Sequence, residues 1–278
     1  MVKKQKYRAN SRPSRQRARS RRSDSSATAP NVPNRIAKTG EDLADDAAEL
    51  PQRNVAVDTL RGLAVVLMVI DHIAAYWFDV RIEIASIRFA TRLSMPLFCV
   101  LLGYFIPSNW EFRFKRYGQI FAAGIMANAI YWPLNHEFEI LASLLAAGLV
   151  GTTLGPAAPI MMLSILAYPT DPLASWLDYQ LTLVFPLVAQ GIILRRIGWK
   201  AAAVAGLVLL VMTLSGRWIQ VTDTHRFVVW YLIPATALVA MAQRWPDWQI
   251  RWLAWMGRHP LTIYVLHFYI IAAVMLAS

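Results

Sequence analysis

The chain has 278 residues, 56% of them hydrophobic, and a formal net charge of +11. A water-soluble domain carries about 45–50% apolar residues with charge spread along its length. Here apolar runs alternate with short charged clusters, which excludes an ordinary soluble domain and describes a polytopic membrane protein. The one cysteine, Cys99, excludes an intramolecular disulfide and an all-cysteine metal site, and in the run PLFCVLLG it reads as a small core residue.

Residues 1–54 are a compositional world apart. Met1 to Arg22 holds ten Lys or Arg and no carboxylate, and Asp24, Glu41, Asp42, Asp45, Asp46 and Glu49 follow. With Ser, Ala and Pro filling the rest, this segment buries too little apolar surface to fold and is expected to be a disordered cytoplasmic tail. Tyr7 is its one aromatic residue, so a tail resting on anionic lipid headgroups is favoured over a nucleic-acid-binding arm. The first apolar run starts near Val55, too far in for an ordinary cleaved signal peptide, so the first transmembrane helix is expected to drive insertion.

From residue 55 to 278 one all-α domain is expected, a polytopic transmembrane helical bundle of about nine helices. Its apolar segments lie near 57–78, 86–107, 117–134, 138–153, 156–168, 178–195, 200–215, 226–243 and 257–277. The basic connections FRFKR, RRIGWK and QRWPDWQIR belong on the cytoplasmic side with the tail. They share a side only if 138–168, broken by GTTLGPAAP, crosses twice. The connections DVRIE, NHEFE, TDPLASWLD and RWIQVTDTHR then face outward, and Ser278 ends outside.

The first segment reads DTLRGLAVVLMVIDH. Charged side chains at bilayer depth cost about 2.5–3.5 kcal/mol each on insertion scales, so they mark candidate functional sites. Arg61 and His72 are eleven steps apart, close to three helical turns, which stacks them on one face about 16 Å apart. A neutral histidine there can act as a base or covalent acceptor near pH 7. Asp71 points about 100° away from His72 and is expected to engage another helix.

The second segment opens with Arg88 and Arg92, four residues apart and so on one face, able to clamp a phosphate bidentately or to snorkel to the headgroups. Gln119, Asn128, Asn135, His136, Gln180 and Gln190 are polar groups within or beside apolar runs, and interhelical hydrogen bonding accounts for most of them. In the last segment, GRHPLTIYVLHFYI, His267 is deep and Tyr264 lies three residues before it on the same face. A site shared between the first and last helices follows naturally. No paired His, Asp or Glu spacing supports a metal site.

Three stretches, DTLRGLAVVLMVIDH, TRLSMPLFCVLLGYF and GRHPLTIYVLHFYI, together resemble the first, second and last helices of the polytopic membrane acyltransferase superfamily. That superfamily includes the acyltransferase-3 proteins, the heparan-alpha-glucosaminide N-acetyltransferase catalytic domain and the TraX proteins. The Asp-His pair and the R-L-S-M-P-L-F run look most like TraX, although NHEFEILASLLAAGL lacks a threonine of the TraX pattern. The resemblance implies a membrane-embedded enzyme that moves an acyl group, usually acetyl from cytoplasmic acetyl-CoA, to a hydroxyl or amine on a glycan or protein. It implies a bacterial inner-membrane location and no metal. By motif position it makes His72 the catalytic histidine with Arg61 its partner, Arg92 the basic residue ahead of the M-P-L-F run, and His267 the histidine of the last helix. Asp71 joins these as a catalytic candidate, and Arg88, Arg92, Tyr264 and Asn128 are the candidate substrate-binding residues. Two other readings compete: a proton-coupled transporter using Asp71, His72 and His267 as a relay, and a non-catalytic anchor whose tail recruits a partner.

Overall fold

The computed structural model describes residues 54–78, 86–108, 112–167, 175–215 and 223–277. The expected tail, up to residue 53, lies outside the described residues, as do most of the DVRIE and RWIQVTDTHR connections. Everything described is helical or connecting, with one isolated bridge between Phe138 and Leu177.

Helix α1 runs Val55–Phe78 and is capped by Asn54, whose Oδ1 accepts from Val57 N at 3.0 Å while its Nδ2 donates to the Ala242 carbonyl. The expected single second segment is two helices, α2 (Ile87–Thr91) and α3 (Ser94–Phe105), which break at Arg92 and Leu93. Pro96 has no N–H to give the Arg92 carbonyl, so an unbroken helix through this point would lose a bond and clash. The break turns α2 so that its arginines meet α1. Helix α4 (Phe114–Asn135) stops at His136, which takes the left-handed conformation with φ 58° and returns its N–H to Trp132.

Helix α5 (Ile140–Thr153) begins partway down α4: Glu139 N donates to Asn128 Oδ1 at 3.0 Å, two turns before α4 ends. A 3₁₀ turn (Gly155–Ala157) and α6 (Ala158–Ser164) follow. At one end of this hairpin Phe138 pairs with Leu177; at the other, Arg196 donates to the carbonyls of Gly155 and Pro107 at 2.8 and 2.9 Å. The stretch 138–167 therefore runs out and back, which puts Pro107, Gly155 and Arg196 at one end of the bundle.

Helices α7 (Leu181–Arg196), α8 (Trp199–Ser215), α9 (Asp223–Val229) and α10 (Leu232–Arg244) lead to a short helix the apolar pattern does not show, α11 (Arg251–Arg258), and to α12 (Pro260–Ala277). α11 presents Leu253, Ala254 and Gly257 to α1 and leaves Trp252 and Trp255 exposed. Only glycines fit where these two helices cross. A Cβ on Gly62 would lie 1.9 Å from the Leu253 carbonyl oxygen, and one on Gly257 would lie 1.7 Å from that of Asp58. Gly103 of α3 and Gly191 of α7 form a second reciprocal crossing, each Cβ falling about 2 Å from a facing carbonyl oxygen.

Among the described residues three stretches, Ile87–Phe105, Arg226–Arg244 and Pro260–Ala277, are long and apolar enough to cross a membrane. The outward faces carry Phe121, Ile125, Val204, Val208, Ile233 and Ile270, all exposed. So much exposed aliphatic surface suits lipid and is foreign to a monomeric soluble protein. The structure is an all-α bundle, as composition and segmentation predict.

Candidate functional site

Helix α1 carries polar groups at two levels, and the helices around it treat the two levels differently. At the first, Arg61 Nη1 donates to Asp58 Oδ1 at 3.0 Å, one turn back on the same helix, and its guanidinium lies over the Phe105 ring, 4.3 Å from the centroid. At the second, Asp71 is buried among groups from α2 and its C-cap. Thr91 Oγ1 donates to Asp71 Oδ1 at 2.9 Å and Arg88 Nε donates to the same oxygen at 3.3 Å, while Arg92 Nη2 is 3.7 Å from Oδ2. Asp71 thus engages another helix, as its angle from His72 requires.

His72 faces α12. Its Nδ1 lies 2.7 Å from His267 Nε2, and the two rings stack with centroids 5.0 Å apart. The two nitrogens are close enough to share one proton. Phe268 and Tyr76 pack against the His72 ring, and Tyr264 meets His267 edge-on at 5.4 Å. His267 is buried, and its Nδ1 has no side-chain partner among the described residues; it lies toward the Ile263 carbonyl, one turn earlier. Helical spacing thus stacks Arg61 with His72 and Tyr264 with His267, and packing of α12 on α1 closes the two histidines.

A cavity of about 740 Å³ opens at the end of the bundle that holds Arg61. Arg61, Arg116, Arg258 and His259 stand at the helix ends that border it; Phe98, Leu101 and Val265 line it further in, and Tyr264 is among its walls. No ion pair of Arg116 or Arg258 occurs among the described residues, and both side chains are exposed. His72, His267 and Arg92 do not line the cavity. Tyr264, one turn from His267, is the side chain common to the cavity and the histidine pair.

Several residues of the site carry no flag in the sequence pattern. Tyr179 Oη accepts from Arg92 Nη1, and Asp178, half-buried beside it, bonds to Tyr131. Burial pushes the Asp178 carboxyl up to about 6, against the opposing pull of Arg92. Glu139 is buried and accepts from Leu141 N at the start of α5, and its carboxyl is held well above the usual range by burial. Both acids lie in connections that loop composition assigns to the outer surface; their acidity within a buried setting shows only once α5 is known to start partway down α4. Arg116 and Phe105 are equally silent, since a basic helix start and an apolar helix end are ordinary. Asn128 is engaged at both ends of its amide, donating to the Gly124 carbonyl at 2.8 Å and accepting from Glu139 N, and so it ties α5 to α4. Among the described residues no group of three or more His, Cys, Asp or Glu could hold a metal ion.

No solved structure matches the chain. A stretch of 63 residues, 23% of this chain, is 38% identical to the uncharacterized protein RP591 of Rickettsia prowazekii (strain Madrid E), spanning 24% of the length of that relative. The family model described as an acyltransferase domain matches residues 54–212, which takes in α1, the Asp71 cluster and the helices as far as α8. With more than half of its length matched, this membrane protein belongs to the acyltransferase-3 family.

Proposed function

We propose that the protein transfers an acyl group, acetyl in the simplest case, from acyl-CoA to a hydroxyl or amine of a glycan or protein acceptor, with His72 as the general base. The observation that carries this reading is the 2.7 Å contact between His72 Nδ1 and His267 Nε2. When His72 Nδ1–H donates to His267 Nε2, His72 Nε2 is left as the free basic nitrogen. His267 then does for His72 what a carboxylate does in other histidine-dependent enzymes: it holds the tautomer and the ring orientation.

The donor enters through the cavity. Arg116, Arg258 and His259 meet its phosphates, which a cation without a carboxylate partner binds at the smallest desolvation cost. The apolar walls further in accept the pantetheine arm. Arg88 and Arg92 hold Asp71, and through it they fix the turn of α1 that aims His72 at α12. Asp71 is thus a positioning residue, and Arg61, paired to Asp58 and stacked on Phe105, shapes the mouth.

In the reaction the acceptor oxygen or nitrogen attacks the thioester carbonyl while His72 Nε2 takes its proton. The C–S bond breaks with its electron pair going to sulfur, and the imidazolium returns the proton to the thiolate. The test is turnover of radiolabelled acetyl-CoA by the full chain in lipid nanodiscs, with an N-acetylglucosamine oligosaccharide or a serine-containing peptide as acceptor. Wild-type protein should release free thiol and label an acceptor, and His72→Gln should lower this rate about 10²–10⁴-fold, the range of a lost general base. Equal rates in the two proteins would remove His72 from the mechanism. Proton flux into liposomes without any acyl donor would replace the enzyme by a transporter.

A further inference from the structure

The Tyr264 hydroxyl is a polar atom out of place. The residue is 4% exposed, its Oη is buried without a hydrogen-bond partner among the described residues, and the side chain forms part of the cavity wall. An unsatisfied buried hydroxyl is destabilising relative to a bonded one, and phenylalanine would fill the same space without that cost. The surroundings offer no structural reason for the hydroxyl: Tyr264 packs edge-on against His267 and Phe268, both rings. Its position does. Tyr264 lies one turn before His267 on α12, so it stands where the cavity ends and the histidine pair begins.

We infer that the Tyr264 hydroxyl donates a hydrogen bond to the carbonyl oxygen of an acyl thioester seated in the cavity, and so stabilises the negative charge which that oxygen acquires on attack. This deepens the acyl-transfer reading and rests on it. The hydroxyl keeps its proton throughout. The acceptor forms its bond to the carbonyl carbon, the carbonyl π electrons move onto the oxygen facing Tyr264, and they return as the C–S bond breaks and the pair leaves on sulfur. A donor placed where charge develops acts on the transition state more than on the bound thioester, so its loss lowers kcat rather than raising KM. A satisfied hydroxyl also gives the ligand a reason to hold its carbonyl at this depth.

The test is Tyr264→Phe in the full chain, which removes one oxygen and keeps the ring packing. With acetyl-CoA as donor, kcat should fall about 10²–10³-fold, as for other single oxyanion donors, with KM for acetyl-CoA unchanged. A second readout needs no turnover. The unreactive methyl-ketone analogue of acetyl-CoA, with CH₂ in place of sulfur, should show its carbonyl stretch shifted to lower frequency on binding wild-type protein, and this shift should vanish in Tyr264→Phe. Wild-type kcat in the variant, or a KM rise without a kcat loss, would overturn the assignment, as would an identical carbonyl stretch in both proteins. If wild-type protein binds the analogue with the shifted stretch but moves no acyl group to any acceptor, the hydroxyl's role stands and the acyl-transfer reading fails. If it binds no acyl-CoA analogue at all, both fail.

Discussion

The two ends of α1 handle charge in opposite ways. Around Asp71 one carboxylate faces Thr91, Arg88 and Arg92, and Arg92 also bonds to Tyr179, so both arginines there have protein partners. Around Arg61 the cations outnumber the carboxylates: Asp58 takes Arg61, while Arg116 and Arg258 border the cavity with no acid of their own among the described residues. A buried ion cluster that is complete holds helices in register, and removing one member is costly because the others stay buried and unpaired. Arg116 and Arg258 are exposed, so they hold no helices together and stay open to a ligand. The same residue type, arginine, thus ties helices together at one level and, on the proposed function, meets the donor at the other.

The sharpest way to break this comparison is Asp71→Ala. It should destabilise the bundle by about 3–5 kcal/mol, the cost of stranding buried partners, measured by chemical unfolding in nanodiscs. Asp71→Asn, which still accepts from Thr91, should recover part of that. If Asp71→Ala leaves stability untouched, the cluster does not hold α1 against α2.

At the other end, Arg116→Ala and Arg258→Ala should each weaken acetyl-CoA binding by about 1.5–3 kcal/mol, the worth of a charge-assisted hydrogen bond, and leave the unfolding midpoint where it is. Binding should also fall with added salt, and each variant should flatten that dependence. A loss of stability in either variant would make these arginines structural and erase the contrast.

The smallest effect concerns Asp178. Its carboxyl is raised to about 6 in the fold from an ordinary value near 3.8. The native state therefore holds a proton that the unfolded chain releases earlier, and stability falls as pH rises from about 4 to about 6. Asp178→Asn should remove that slope. Its thermal midpoint should gain on the wild type at pH 7.5 relative to pH 4.5, and a pH-independent difference would place Asp178 in water. A steeper fall in wild type would show Arg92 to matter less there than Asp71.

Much of this architecture is legible in the chain. Nine apolar segments correspond to α1, the α2–α3 pair, α4, α5, α6, α7, α8, the α9–α10 pair and α12, because long apolar runs at helical period have one outcome in a bilayer. The loop charges call for two passes over 138–168, and the break the sequence places there is a 3₁₀ turn between α5 and α6. What escaped is of two kinds. A helix of eight residues with an arginine at each end, such as α11, is too short for its apolar residues to stand out, and this one is defined by its packing on α1 at Gly62 and Gly257. The acids of connections read as surface because composition does not report depth: Glu139 is buried because α5 starts two turns below the end of α4, and Asp178 is half-buried beside it.

The sequence by itself determined the class of the molecule, its helices and the stacking of Arg61 with His72 and of Tyr264 with His267, since these follow from hydrophobic length and from 3.6 residues per turn. Tertiary structure alone decided which of those polar groups meet. His72 and His267 are 195 positions apart, and no local rule links them; the glycine crossing of α11 on α1 and the attachment of α12 bring them to 2.7 Å. It also separated the arginines, giving Arg88 and Arg92 to Asp71 and leaving Arg116 and Arg258 at the cavity. Charge type is written in one residue, whereas whether that charge is matched depends on helices that only packing brings together.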